Sequence, residues 1–177
     1  MKKILAAVLG IFLFCASSAD AGVYLSAGFG SNENKGKIVD PTENLSDKYK
    51  NSPMFSGALG YEAPLPFVSL RGELEYLQMK NKLKDADFNK DLKAGMANVY
   101  LKLSFLGLYG GVGAGYGKLD GKSLNLYQFM GGWEVSARAV AVGVEYRRTQ
   151  SGRDIHEDSA RMEYKADALL LKMRFTF

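Results

Sequence analysis

The amino-acid sequence predicts an all-β fold, an eight-stranded antiparallel up-and-down barrel that crosses a membrane. Three observations predict it. Apolar and polar residues alternate with a period of two through most of the chain, as in strands with two unlike faces. The segments between these runs are long and short in turn, the layout of a meander with loops at one end and tight turns at the other. The chain stops on ALLLKMRFTF, where Leu169, Leu171, Met173, Phe175 and Phe177 share one face and Lys172, Arg174 and Thr176 the other.

The first 21 residues stand apart from this pattern. Lys2 and Lys3 precede an apolar stretch from Ile4 to Phe14 and a small-x-small site at Ala19-Asp20-Ala21. That layout predicts a secretory signal peptide over residues 1–21, leaving residues 22–177 as one barrel domain. Lipoprotein processing at Cys15 would place the bulky Phe14 where that signal takes a small residue. Cleavage after Ala21 removes the only cysteine, so no disulfide is expected in the exported chain. It also lowers the formal net charge of +4 by one, which is too mild a balance to point to nucleic acid. Beyond Ala21 no apolar run reaches the ~18 residues of a membrane helix.

The strands follow in order. GVYLSAGFG sets Val23, Leu25, Ala27 and Phe29 against Tyr24, Ser26, Gly28 and Gly30. FSGALGYE sets Phe55, Gly57, Leu59 and Tyr61 against Ser56, Ala58, Gly60 and Glu62. Six further strands are expected at about 67–77, 94–103, 106–117, 125–135, 139–148 and 163–177. The expected long connections are SNENKGKIVDPTENLSDKYKNS, QMKNKLKDADFNKDLK, KLDGKSL and TQSGRDIHEDSARM. The short ones lie at APLP, at Ser104-Phe105 and at SARA.

One strand face is apolar throughout, with Leu70, Leu74, Val99, Leu101, Val112, Val142 and Val144 among its members. A soluble barrel would turn that face inward. Two features argue for the reverse. Outward aromatics fall into two bands, Phe29, Phe55, Tyr76, Tyr116, Tyr127 and Tyr146 toward the loop end, and Tyr61, Trp133, Phe175 and Phe177 toward the turn end. Paired aromatic girdles are what two membrane interfaces select. The other face carries Glu62, Glu73, Glu75, Glu134 and Glu145 against Arg71, Lys102, Arg147, Lys172 and Arg174. These signs balance, as a narrow interior requires, because an unpaired buried charge costs several kcal/mol. Lipid then takes the Leu-Leu-Met-Phe-Phe face of the last strand, and an ion-paired interior takes Lys172 and Arg174.

Together YGGVGAGYG (109–117), LYQFMGGW (126–133), VAVGVEYRR (140–148), the leader and the terminal phenylalanine resemble the small outer-membrane β-barrel family. That group includes opacity-type surface proteins, the OmpA membrane domain and OmpX-like barrels of the porin family. The resemblance covers essentially all of residues 22–177. It implies an integral location in a Gram-negative outer membrane, periplasmic turns and termini, and extracellular loops. It also implies contact with outer-membrane lipid and lipopolysaccharide, and insertion by the barrel-assembly machinery. The machinery would read Leu169, Leu171, Met173, Phe175 and Phe177 as its C-terminal signal. No peptidoglycan-binding domain follows Phe177, so no tether of the OmpA kind is expected.

Other constellations have simpler readings. The run Gly110, Gly111, Gly113, Gly115 and Gly117 alternates with strand residues and precedes no helix, so it makes room in a narrow lumen rather than cradling a phosphate. DADFNKD spaces Asp85, Asp87, Asn89 and Asp91 like the start of a calcium loop, but Lys90 replaces the turn glycine and Met96 the bidentate glutamate. His156, with Asp154, Glu157, Asp158 and Ser159, could be drawn as a metal site or a hydrolytic triad, but a lipid-A deacylase places such residues on the lipid-facing wall and these lie in a polar loop, where a solvated turn accounts for them. No cofactor, metal or catalytic residue is expected. Eight strands enclose a lumen that side chains can fill. The function read from the sequence is therefore a non-enzymatic surface scaffold with four displayed loops, serving adhesion, host interaction or envelope integrity. Loop lysines could meet lipopolysaccharide phosphates, and Tyr49 and Phe88 could anchor a host or matrix ligand. A lipid-modifying enzyme and a small-solute channel are the alternatives.

Overall fold

The computed structural model describes residues 22–34, 37–39, 44–45, 52–82, 89–119, 121–152, 155–157 and 160–177. The expected signal peptide over 1–21, along with Tyr49, Lys84, Asp85, Asp87 and Phe88, lies outside the described residues.

Twelve strands are present among the described residues: β1 (Gly22–Asn34), β2 (Lys37–Val39), β3 (Asn44–Leu45), β4 (Ser52–Pro64), β5 (Val68–Lys82), β6 (Asn89–Leu103), β7 (Leu108–Leu119), β8 (Lys122–Ala137), β9 (Val140–Ser151), β10 (Ile155–Glu157), β11 (Ala160–Glu163) and β12 (Lys165–Thr176). The eight long ones close into a barrel in the order β1, β12, β9, β8, β7, β6, β5, β4, every neighbour antiparallel. The fold is thus the all-β, eight-stranded antiparallel barrel that the alternation predicts. Closure is made by β1 and β12, whose register runs from Tyr24 opposite Thr176 to Asn34 opposite Ala166. Without that seam two edges would expose backbone donors and acceptors that hydrocarbon cannot satisfy.

The loop end differs from the expectation in two ways. The connection expected at KLDGKSL is only residues 120–121, because Leu119 and Lys122 already pair. A connection of two residues favours positive φ, and Gly121 has φ 81°. The second connection is also shorter, since β5 and β6 stay paired up to Lys82 opposite Asn89. Lys80, Lys82, Lys90 and Lys93 consequently belong to strands rather than to a loop. The described parts of the first and last connections, expected as long polar loops, form a second sheet in the order β10, β11, β2, β3. His156 lies on β10, opposite Arg161 of β11.

Candidate functional site

Ten charged side chains converge in the lumen, and strand register sorts them into layers. Nearest the turns lie Glu62 (β4), Arg71 (β5), Lys102 (β6), Glu134 (β8) and Arg174 (β12). Glu134 is their hub. Arg71 grips it with both terminal nitrogens, Nη1 donating to Oε2 at 2.9 Å and Nη2 to Oε1. Lys102 Nζ reaches Oε1 at 2.6 Å and Arg174 Nη2 at 2.9 Å. Glu62 closes the circuit, 3.1 Å from Arg71 Nε and 2.6 Å from Arg174 Nη1. This layer holds two carboxylates and three cations.

The middle layer holds three carboxylates and two cations. Arg147 (β9) donates from Nη1 to both oxygens of Glu75 (β5) at 2.8 and 2.9 Å, and from Nη2 to Glu145 at 2.6 Å. Arg147 and Glu145 are 0% exposed. Lys172 Nζ lies 3.3 Å from Glu145 and 3.5 Å from Glu73. The surplus cation of the first layer therefore offsets the surplus carboxylate of the second. Neutrality belongs to the lumen as a whole, and pairing within a low-dielectric interior recovers part of the desolvation cost.

Three tyrosines line the charged layers, two of them joining one layer to the other, and the sequence reading did not single them out. Tyr24 Oη donates to Glu73 at 3.2 Å while its ring lies 5.2 Å from the Arg174 guanidinium. Tyr109 does the same between Glu145, at 3.2 Å, and Arg71, at 5.8 Å from the ring centroid. Tyr100 donates to Glu73 at 2.6 Å. Each ring covers a glycine directly opposite in register: Tyr24 over Gly60, Tyr100 over Gly111, Tyr109 over Gly132. A Cβ on Gly111 or Gly132 would come within 2.5 Å of its tyrosine ring, so these glycines make the space that the rings fill. Their inward direction was available from the alternation itself, since Tyr100 and Tyr109 share parity with Lys102 and Gly111.

Above the charges, toward the loops, the lumen turns apolar. Met54, Leu77, Met79, Leu92, Ala94, Met96, Leu124, Leu126, Ala166, Ala168 and Leu170 pack as one buried cluster, with Tyr164 donating to Met79 Sδ at 3.3 Å. Asn98 and Gln128 mark the boundary, each donating to Glu75, at 2.8 and 3.2 Å. This layer was missed because its residues interrupt the alternation, as Leu170 does between Leu169 and Leu171, and an unbroken apolar run does not say which of its members face inward. Within the charged layers lies a cavity of about 20 Å³, lined by Tyr24, Arg71, Glu73, Glu134 and Lys172 among others. That is space for about one water molecule.

On the outer wall Leu169, Leu171, Met173, Phe175 and Phe177 are exposed along β12. So are Phe29, Phe55, Tyr76, Tyr116, Tyr127, Trp133 and Tyr146, while Tyr61 is half-buried. Phe29 and Phe55 stand opposite in register with rings 5.1 Å apart. Trp133 Nε1 donates to the Leu106 carbonyl at 3.0 Å, tying the indole to the turn. Phe67 and Phe105, also exposed in the short turns, add aromatics that the sequence reading left out. The charges on this wall near the loops include a pair, Arg148 Nε to Asp167 at 2.7 Å, joined by Tyr146 Oη at 2.7 Å. An exposed apolar surface that encircles the molecule is far larger than a soluble monomer shows, and suits hydrocarbon.

Among the described residues no cluster of His, Cys, Asp or Glu has the arrangement of a metal site. Gly111, Gly113, Gly115 and Gly117 lie on the lumen side of β7, with no helix beyond them.

Comparison with known proteins agrees with this geometry. Among curated proteins none matches the sequence. Neisserial surface protein A shares the fold at a TM-score of 0.59 and 14% identity, covering 89% of this chain and 99% of its own. Ail, the attachment invasion locus protein of Yersinia pestis, is more distant, at a TM-score of 0.48 and 16% identity, covering 87% and 98%. The same protein in complex with the heparin analogue sucrose octasulfate gives 0.47, 16%, 88% and 99%. The model of the outer membrane protein β-barrel domain matches residues 4–177. With an apolar outer wall, an ion-paired lumen and nearly the whole length matched, the chain belongs to the outer membrane protein β-barrel domain family.

Proposed function

We propose that this protein is a non-enzymatic surface protein of the Gram-negative outer membrane, a plugged barrel that holds its loop-end strands and second sheet outward for adhesion, host interaction or envelope integrity. The observation that carries this reading is the filled lumen. Two charged layers and a buried apolar layer occupy it, and the cavity between Glu73, Glu134 and Lys172 is about 20 Å³, too small to hold a solute. The barrel then acts through what it displays. Export by a signal peptide over residues 1–21, and recognition of the β12 outward face by the assembly machinery, are parts of the same proposal.

Single-channel recording of the refolded protein in a planar bilayer tests the plug. The wild type stays silent, while Glu73→Gln together with Arg147→Leu gives openings. Steady openings in the wild type would make this a pore. Deleting residues 32–51 tests the display: binding to host cells or matrix falls while the barrel still folds. Altered lipid A in cells gaining or losing the gene would instead reveal an enzyme and sink the proposal.

A further inference from the structure

Arg174 satisfies two of its three guanidinium nitrogens. Nη1 donates to Glu62 Oε2 at 2.6 Å and to Thr176 Oγ1 at 2.9 Å, and Nη2 donates to Glu134 Oε1 at 2.9 Å. Nε is left over, buried and without a hydrogen-bond partner among the described residues. The residue is 8% exposed, so bulk water does not reach that donor. A buried donor without an acceptor is costly, the more so on a charged group.

The strands beside Arg174 leave room at this point. Directly opposite it stand Ser26 on β1 and Ala141 on β9, both short side chains. All three line the cavity of about 20 Å³. Its other walls include Glu134 from the layer nearest the turns and Glu73 and Lys172 from the middle layer. Such a volume exceeds the ~10–15 Å³ that one water molecule needs. Charge decides between water and an ion. The five carboxylates and five cations of the lumen already cancel, so an ion would bring an unbalanced charge into a closed interior. A neutral occupant must accept from Nε and donate elsewhere. Glu73 Oε2 accepts from Tyr24 at 3.2 Å and Glu134 Oε2 from Arg71 at 2.9 Å, and a carboxylate oxygen has capacity for a second bond.

We infer that this cavity holds one internal water molecule, which accepts from Arg174 Nε and donates to the carboxylates of Glu73 and Glu134. Because Glu73 belongs to the middle layer and Arg174 and Glu134 to the layer below, the water joins the two. Ser26 and Ala141 are then small because the water takes the space beside Arg174. The inference deepens the reading of the barrel as plugged and rests on it, since a single trapped water requires a lumen without a water column.

The test uses the refolded full-length protein, labelled with nitrogen-15, in detergent micelles. The Nε–H resonance of Arg174 is assigned by its loss in Arg174→Lys. In the wild type it shows a cross-peak to water whose laboratory-frame and rotating-frame Overhauser effects have opposite signs, the mark of a long-held molecule. Ala141→Val fills the cavity, removes the cross-peak and lowers the folded-to-unfolded ratio about tenfold, because Nε loses its acceptor. Were the cavity empty, the same added methyls would raise the urea midpoint, and that result would overturn the inference. So would a wild-type resonance with no water cross-peak, which decides the matter whether or not the valine variant folds. A shift of the resonance when chloride is replaced by gluconate would assign the cavity to an anion and overturn it equally. A missing cross-peak with a silent channel in planar bilayers removes this inference alone. Rapidly exchanging water at Arg174 together with steady conductance removes the plug itself.

Discussion

Arg147 is held by Glu75 and Glu145 with none of its surface exposed. Arg147→Leu therefore leaves two carboxylates facing each other in a closed lumen, and unfolding in urea from lipid bilayers should show a loss of about 3–5 kcal/mol. On the other face the logic inverts. Leu171 meets hydrocarbon, so Leu171→Arg should cost about 2–4 kcal/mol by the same measurement, and a silent substitution would overturn the lipid-facing wall. The sign of each residue's preference was legible in the sequence, because period two separates the faces. The partners were not. Alternation assigns Glu134 and Glu145 to one face but gives neither a height nor a neighbour across the lumen. That Arg71 chooses Glu134 over the nearer-in-sequence Glu73 follows only from the register of β5 against β8 around a closed ring.

Among the elements, the turns show where local sequence carried information that was passed over. Asp120-Gly121 between two alternating runs is a strong hairpin signal, and it converts an expected loop into a tight connection. Gly121 has φ 81°, so Gly121→Ala should destabilise the barrel by about 1 kcal/mol. At the opposite end Arg138 adopts φ 55° in the two-residue connection between β8 and β9. Arg138→Gly should raise stability by up to about 1 kcal/mol, read as a shift of the urea midpoint with unchanged slope. The second sheet was invisible to the sequence reading for a different reason. Its strands are two to four residues long, too short for any period to register, and they pair the first connection with the last, which only barrel closure brings together.

For the whole molecule the strands themselves imply an asymmetry about the membrane. They run 12 to 16 residues, more than the ~9–11 that cross a bilayer. In the β5–β6 hairpin six residues continue beyond Tyr76 to Lys82, roughly 20 Å at strand rise. Protease added to intact cells should cut within 35–51 or 83–88 and spare the barrel strands. Cleavage only after the outer membrane is opened would reverse the proposed topology. The seam between β1 and β12 adds a matter of time. It pairs Tyr24 with Thr176, residues at the two extremes of the barrel chain, so ring closure has the greatest sequence separation the fold allows. Folds dominated by such distant contacts are slow, because loop entropy is lost before the contacts repay it. Until β12 arrives, β1 has only β4 beside it and the lumen charges lack Lys172 and Arg174. The barrel can become neutral inside only at the moment it becomes round.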